Sequence, residues 1–114
     1  MDVYLVGGAR TPFCKAGQQL ESVPPQELGC RALREAVERS EVALGDLDAV
    51  IVGNVAGPID AANVGRVIAL LAGVPERVPA HTVSRNCASG MEAVVEGARL
   101  IAAGEASLVA AVGV

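Results

Sequence analysis

Cys87 is the residue best placed to act as a nucleophile, because it lies where a short extended run meets a long helical one. The run from Pro79 to Ser84 is typical of a strand, and the apolar pattern from Cys87 to Ala103 predicts a helix. The first N–H groups of a helix have no internal partners and carry partial positive charge, so a thiolate is stabilised there. Small neighbours, Ala88 to Gly90, would let an acyl group reach the sulfur. The local pattern leaves two interpretations open: a nucleophile that attacks a carbonyl, or a buried structural cysteine.

No partner for Cys87 is evident elsewhere in the chain. His81 is the only histidine. It lies six residues upstream of Cys87, which is about 20 Å along a fully extended strand, so we interpret it as structural. Arg66 is the one charge in an apolar helical stretch, where a salt bridge is a commoner role than a phosphate contact. The base that activates Cys87 is therefore expected outside this chain.

Cysteine usage and charge exclude several classes of protein. The three cysteines, Cys14, Cys30 and Cys87, are odd in number and form no CxxC pair, so neither a disulfide framework nor a metal site is predicted. We interpret Cys14 as an incidental loop residue and Cys30 as core filling. A net charge of −4 without a basic run gives no support for nucleic-acid binding.

Targeting signals and membrane spans are also not indicated by the sequence. The amino terminus has no basic segment followed by a long apolar one, as a signal peptide would. No apolar run approaches the roughly 20 residues that span a bilayer. We therefore expect a reducing, cytoplasmic location and no membrane span.

The elements around Cys87 predict one small α/β domain. The 114 residues are 52% hydrophobic but only 2% aromatic, with a mean hydropathy of +0.44, which fits a core of small aliphatic residues. The run Ala49–Val52 is apolar on both faces, so it predicts a parallel strand between helix layers. Pro79 and polar neighbours make the next strand an edge strand. The other predicted strands are Val3–Ala9 and Leu108–Val114. The predicted helices run from Pro24-Pro25 to about Ser40, from about Asn63 to Ala72, and from Cys87 to Ala103.

The last predicted helix has an unusual composition. Its few charges lie in one narrow stripe, so we expect it to be buried on most sides. Gly90, Gly97 and Gly104 recur every seven residues along one line. Glycine inside a helix costs up to about 1 kcal/mol against alanine, so this line predicts close approach by another element.

Four motifs in order carry a resemblance to a known family. They are Arg10-Thr11-Pro12-Phe13, Val52-Gly53-Asn54-Val55, Val78-Pro79-Ala80-His81-Thr82-Val83 and Asn86-Cys87-Ala88-Ser89-Gly90-Met91. Together they resemble the amino-terminal part of the thiolases (acetyl-CoA C-acyltransferases) over nearly the whole chain. The resemblance implies a three-layer α/β half-domain with a mixed, mostly parallel sheet, incomplete at the carboxyl-terminal end. For Arg10 and Phe13 we expect a structural role.

The resemblance also implies a reaction and partners. The cysteine at the position of Cys87 would carry the acyl group during thiolytic cleavage of a 3-ketoacyl-CoA, or during the reverse Claisen condensation. Acyl-CoA and CoA would be substrates, with no resident cofactor, and no residue is assigned to CoA binding. The strand Pro79 to Ser84 would pair across a homodimer, and dimers could join into tetramers.

Residues 1–114 are expected to be part of a thiolase amino-terminal domain. In the family a second half supplies a histidine, another cysteine and an asparagine, and a fifth strand lies between the last and first strands seen here. This chain alone would then have a gap in its sheet and would be inactive by itself. Two alternatives stay open: a condensing enzyme similar to the ketoacyl-carrier-protein synthases, and a non-catalytic lipid-binding module on a thiolase-like scaffold.

Overall fold

The computed structural model describes residues 2–114, whose centre is a parallel three-stranded sheet. Along the chain, α1 (Pro25–Arg39) is followed by β1 (Ala49–Gly53), α2 (Val64–Ala72), β2 (Ala80–Val83), α3 (Ser89–Ala102) and β3 (Val109–Gly113). The strand order is β2-β1-β3. Val50 of β1 pairs with Ala80 on one side and Ala110 on the other. The parallel sheet and the edge position of β2 confirm the sequence prediction.

The helices cover the sheet on both faces. Helices α1 and α2 pack on each other and on one face, and α3 packs on all three strands. Val50, Ile51 and Val52 are fully buried between these layers, which explains why β1 is apolar without alternation. The arrangement is the predicted three-layer α/β unit.

Helix α2 begins and ends at the signals that its sequence carries. The Asn63 side chain accepts a hydrogen bond from the backbone N–H of Arg66, as a helix cap does. At the other end Gly73 has a φ of 93°, a left-handed conformation that glycine adopts without strain. The predicted bounds of this helix are therefore confirmed to within one residue.

Helix α3 is buried on one narrow side. Ser89, Ala93 and Gly97 are buried, whereas Met91 is exposed. The expectation that the helix is buried on most sides is thus wrong for residues 2–114. The prediction of close approach holds at Gly97, where an added Cβ would lie 3.0 Å from Val109 Cγ1. It fails at Gly104, which follows the C-cap residue Ala103 with a φ of 77° and has open space around it.

The prediction of a buried strand over Val3–Ala9 is wrong. This segment has no regular secondary structure, and Leu5 is 86% exposed. A strand needs a neighbour with which to exchange backbone hydrogen bonds. A cavity of about 610 Å³ lies between this segment and β3, and α1 and α3 also line it. Among residues 2–114 the segment has no such neighbour, so it forms no ladder.

No helix among residues 2–114 combines the length and the apolar character that crossing a bilayer requires.

Candidate active site

Cys87 lies in a tight turn between the end of β2 and the start of α3. The N–H of Ala88 donates to the Arg85 carbonyl at 3.0 Å, and the N–H of Ser89 donates to the Asn86 carbonyl at 3.1 Å. The helix was predicted to begin at Cys87, but its first residue is Ser89 and its N-cap is Ala88. Cys87 therefore comes directly before the cap, and its side chain is exposed. Within residues 2–114 its backbone N–H has no hydrogen-bond acceptor.

Asn86 gives the turn its unusual backbone. Its φ of 50° lies in the left-handed region, which costs most residues about 1–2 kcal/mol but which asparagine adopts more readily. This residue reverses the chain direction after β2 and so places Cys87 at the amino-terminal end of α3. The sequence contained a signal for this turn, because an asparagine between a strand and a helix is a common left-handed residue.

Ser89 holds both sides of that turn. Its hydroxyl accepts a hydrogen bond from the N–H of Arg85 at 2.8 Å and donates one to the carbonyl of Asn86 at 2.6 Å. Ser89 is 4% exposed and is the buried polar residue of the described core. From the sequence only the small size of Ser89 was evident, and its bridging role was missed.

Glycines let the start of α3 rest on the ends of two strands. A Cβ added to Gly53, at the end of β1, would lie 2.2 Å from the carbonyl oxygen of Ser89 and 2.5 Å from the nitrogen of Gly90. Gly90 in turn faces Gly113 of β3, where an added Cβ would lie 3.6 Å from the Gly113 Cα. The motif Val52-Gly53-Asn54 thus supports the site by close backbone packing.

Asn54 links the carboxyl ends of β1 and β3 beside the Cys87 turn. Its Nδ2 donates to the carbonyl of Val114 at 2.7 Å, and its Oδ1 accepts from the N–H of Gly57 at 2.8 Å. The side chain therefore fixes the loop that leaves β1 at the carboxyl ends of the strands. In the sequence this asparagine is evident only as part of a motif, and its role depends on the folded loop.

Charged groups flank the turn on the outer side of α3. Arg85 Nη1 lies 2.9 Å from Glu92 Oε2, and Arg99 Nη1 lies 3.5 Å from Glu92 Oε1. Both arginine side chains are mostly exposed, whereas that of Glu92 is largely covered. Ion pairs with exposed arginines contribute little to stability. The pair with Glu92 nevertheless fixes the side chain of Arg85, the residue directly before Asn86.

The other polar residues considered from the sequence lie apart from the turn or serve the fold. His81 Nε2 is 2.7 Å from Glu96 Oε1, a contact that joins β2 to α3. Arg66 donates to the carbonyls of Val78 and Glu76 at 2.8 and 3.0 Å, and among residues 2–114 it does not form the expected salt bridge. These carbonyls lie in the loop between α2 and β2, which the guanidinium holds in place.

The Arg-Thr-Pro-Phe turn has no packing role among the described residues. Phe13 is 96% exposed, and Arg10 donates only to the carbonyl of its neighbour Thr11, at 3.0 Å. The expected structural role of Arg10 and Phe13 is therefore not seen. Cys14 and Cys30 are both half-buried, and Cys30 packs against the core as expected.

The fold and the turn together define a thiolase amino-terminal domain. The model of that domain matches residues 3–114, and the chain belongs to the thiolase family. It is 39% identical to an acetyl-CoA acetyltransferase of Schizosaccharomyces pombe over 112 residues, which are 98% of this chain and 28% of that protein. It is 45% identical to a beta-ketoadipyl-CoA thiolase of Acinetobacter baylyi, over 97% of this chain and 28% of that protein.

The same architecture is found in solved thiolase structures. A thiolase from Ascaris suum, crystallised in complex with coenzyme A, matches with a TM-score of 0.96 and 31% identity over 99% of this chain and 30% of that chain. An acetyl-CoA acetyltransferase of Bacillus anthracis matches with a TM-score of 0.91 and 38% identity, over 95% of this chain and 27% of that chain. The chain thus spans less than a third of the length of the relatives that it matches.

Proposed function

We propose that this domain contributes the nucleophile of an acyltransferase that acts on coenzyme A thioesters. The observation that carries the proposal is the exposure of Cys87 at the amino-terminal end of α3, in a turn held by two partly buried hydrogen bonds of Ser89. The family assignment and the activities for which the relatives are named support it. Because the chain covers only part of those relatives, the complete reaction is proposed for a longer polypeptide that contains this domain.

In the cleavage direction, the Cys87 thiolate attacks the 3-keto carbon of a 3-ketoacyl-CoA. A carbon–sulfur bond forms, the bond between C2 and C3 breaks, and its electron pair leaves with acetyl-CoA as an enolate that takes up a proton. The thiol of free CoA then attacks the acyl group on Cys87, and the carbon–sulfur bond to Cys87 breaks. In the reverse direction the enolate of acetyl-CoA attacks the acyl-cysteine.

The negative charge that develops on the carbonyl oxygen during these steps needs a hydrogen-bond donor to stabilise it. The backbone N–H of Cys87 is a candidate, since it has no acceptor among residues 2–114 and lies beside the positive end of α3. The acid and base that move the protons are proposed to come from outside residues 2–114, because His81 is bound to Glu96.

We also propose a homodimer formed through β2. Among residues 2–114 this strand pairs with one strand only, β1. The Ala80 carbonyl also accepts a hydrogen bond from Asn63 Nδ2 at 3.3 Å, and the outer backbone groups that remain can pair with a second copy. It is also the strand that leads into the Cys87 turn, so pairing there would stabilise the entry to the site.

Thiol labelling tests the role of Cys87. In the full-length protein, iodoacetamide is expected to modify Cys87 much faster than Cys14 or Cys30, and a short acyl-CoA is expected to protect it. Cys87→Ala is expected to lower acyl transfer by at least about 1,000-fold, whereas the matched control Cys30→Ala retains it. Equal labelling of the three thiols, or full activity of Cys87→Ala, would contradict the proposal. A binding module would keep both CoA binding and its function in Cys87→Ala.

A further inference from the structure

Ser89 is the buried polar residue beside Cys87, and its hydroxyl takes no part in the proposed reaction. Both of its hydrogen bonds go to the backbone of the turn, one to the N–H of Arg85 and one to the carbonyl of Asn86. A buried hydroxyl with both partners satisfied is stable, but removal of it leaves a backbone donor without its partner. The hydroxyl therefore links the two residues that precede Cys87 to the first residue of α3.

The position of these bonds matters because Asn86 is in the left-handed region. A residue in that region persists only where its surroundings hold it. The Ser89 hydroxyl bonds the N–H of Arg85 and the carbonyl of Asn86, so it restrains the backbone across these two residues, including the left-handed conformation of Asn86. The carbonyl of Asn86 also accepts the N–H of Ser89, which gives the turn a second restraint that does not depend on the hydroxyl.

Ser89 is itself held by close packing against the end of β1. Its carbonyl oxygen lies so close to Gly53 that any Cβ there would overlap it. The helix end is thus fixed against β1, and the hydroxyl transmits that fixed position to the turn. Cys87 has no comparable restraint of its own, since its side chain is exposed.

We propose that Ser89 is a positioning residue, whose hydroxyl holds the backbone of Asn86 so that the Cys87 sulfur faces the substrate. The proposal deepens the proposed function and rests on it. A misplaced reacting atom costs up to about 100-fold in rate, so loss of the hydroxyl lowers the rate of acylation without removing any group that binds CoA.

The test compares Ser89→Ala with Ser40→Ala in the full-length protein. Ser40 is a matched control because its hydroxyl also donates to a backbone carbonyl, that of Ala36 at 2.7 Å, at the end of α1. Ser89→Ala is expected to lower kcat by about 10- to 100-fold with KM for acyl-CoA changed by less than about two-fold. Ser40→Ala is expected to leave both unchanged. A kcat of Ser89→Ala within about two-fold of the parent overturns the proposal.

Two further measurements separate positioning from other effects. Ser89→Thr keeps the hydroxyl, and its kcat is expected within about three-fold of the parent. A fall as large as that of Ser89→Ala would show that packing sets the rate, and would overturn the proposal. The rate of Cys87 alkylation by iodoacetamide needs no acyl chemistry, and Ser89→Ala is expected to slow it relative to Cys14 in the same molecule. If Cys87→Ala keeps acyl transfer, the proposed function fails, whereas an unchanged alkylation rate in Ser89→Ala overturns the positioning role.

Discussion

The edge of the sheet formed by β2 and the edge formed by β3 differ in what they hold in place. At the β2 edge, the strand leads into the Cys87 turn. There the backbone N–H groups of Arg85, Ala88 and Ser89 each donate a hydrogen bond. At the β3 edge, a cavity of about 610 Å³ separates the strand from the apolar segment Val3–Ala9, which has no regular structure.

The difference shows that apolar sequence alone does not make a strand. The runs Val3–Val6 and Ala49–Val52 have similar composition, yet only the second is a strand. Ala49–Val52 has a hydrogen-bonded neighbour on each side and a helix layer on each face. The first run has neither a paired neighbour nor a covered face, so its intrinsic preference for extended structure is not converted into a ladder.

The largest effect is expected from a methyl group added at Gly53. Gly53→Ala places a Cβ against backbone atoms of Ser89 and Gly90, which cannot rotate away. Overpacking of this kind costs about 1–3 kcal/mol, and the displaced helix end should also slow the alkylation of Cys87. Thermal unfolding and iodoacetamide labelling measure the two effects.

Gly8→Ala is the matched control at the other edge. An added Cβ at Gly8 has no heavy atom within 4 Å, so this variant is expected to keep the parent stability and labelling rate. If Gly53→Ala and Gly8→Ala were equally stable and equally reactive, the tight support of the Cys87 turn by β1 would be wrong.

A second pair of variants compares the two apolar runs directly. Val50 is fully buried and Val6 is 66% exposed. In residues 1–114 we expect Val50→Ala to lower the free energy of unfolding by about 2 kcal/mol, and Val6→Ala to change it by less than about 0.5 kcal/mol. Urea unfolding measures both.

The same pair tests whether a further strand fills the cavity. If one does so in the full-length protein, Val6 becomes a buried strand residue there, and Val6→Ala then costs an amount similar to Val50→Ala. A Val6→Ala variant that is as destabilised as Val50→Ala already in residues 1–114 would contradict the described state of the segment.

Much of the architecture could be predicted from local pattern. The helices, the burial of β1 between helix layers and the edge position of β2 follow from apolar periodicity, from proline and glycine at element ends, and from the apolar character of Ala49–Val52 on both faces. The position of Cys87 at a strand-to-helix junction was also predictable, although the helix starts two residues later than expected.

The remaining features depend on contacts that pattern does not encode. The absence of a strand at Val3–Ala9 depends on whether a neighbour is present, and the partners of Arg66 are loop carbonyls whose position is set by tertiary structure. The Ser89 bridge could have been suspected from an asparagine followed three residues later by a serine at a helix start, but both bonds needed the folded turn. Chain order alone could not show that Gly53 touches Ser89.

The smallest effect is expected at Asp48, which ties the beginnings of β1 and β3 together at the end of the sheet opposite Cys87. Its Oδ2 accepts the backbone N–H groups of Ser107 and Leu108 at 2.7 and 3.0 Å. These two hydrogen bonds hold the pKa of the Asp48 carboxyl below its ordinary value of 3.8, and the bond from Ser107 has the larger effect. The folded chain therefore binds fewer protons at this group than the unfolded chain does as the pH approaches that value.

The sign of the pH dependence follows from the lowered pKa. The stabilisation by the Asp48 carboxylate is fully present above pH 3.8 and is lost as the pH falls through the folded-state pKa below that value. Asp48→Asn has no such titration, so it is expected to be slightly less stable than the parent at pH 7, with a difference that shrinks at more acidic pH. Urea unfolding from pH 7 downward measures this difference, and a gap that widens as the pH falls would show that the carboxylate is not stabilised by Ser107 and Leu108. A gap that closes would show that the carboxylate's hydrogen bonds to Ser107 and Leu108 stabilise this end of the sheet, as local hydrogen bonds stabilise the turn at Cys87.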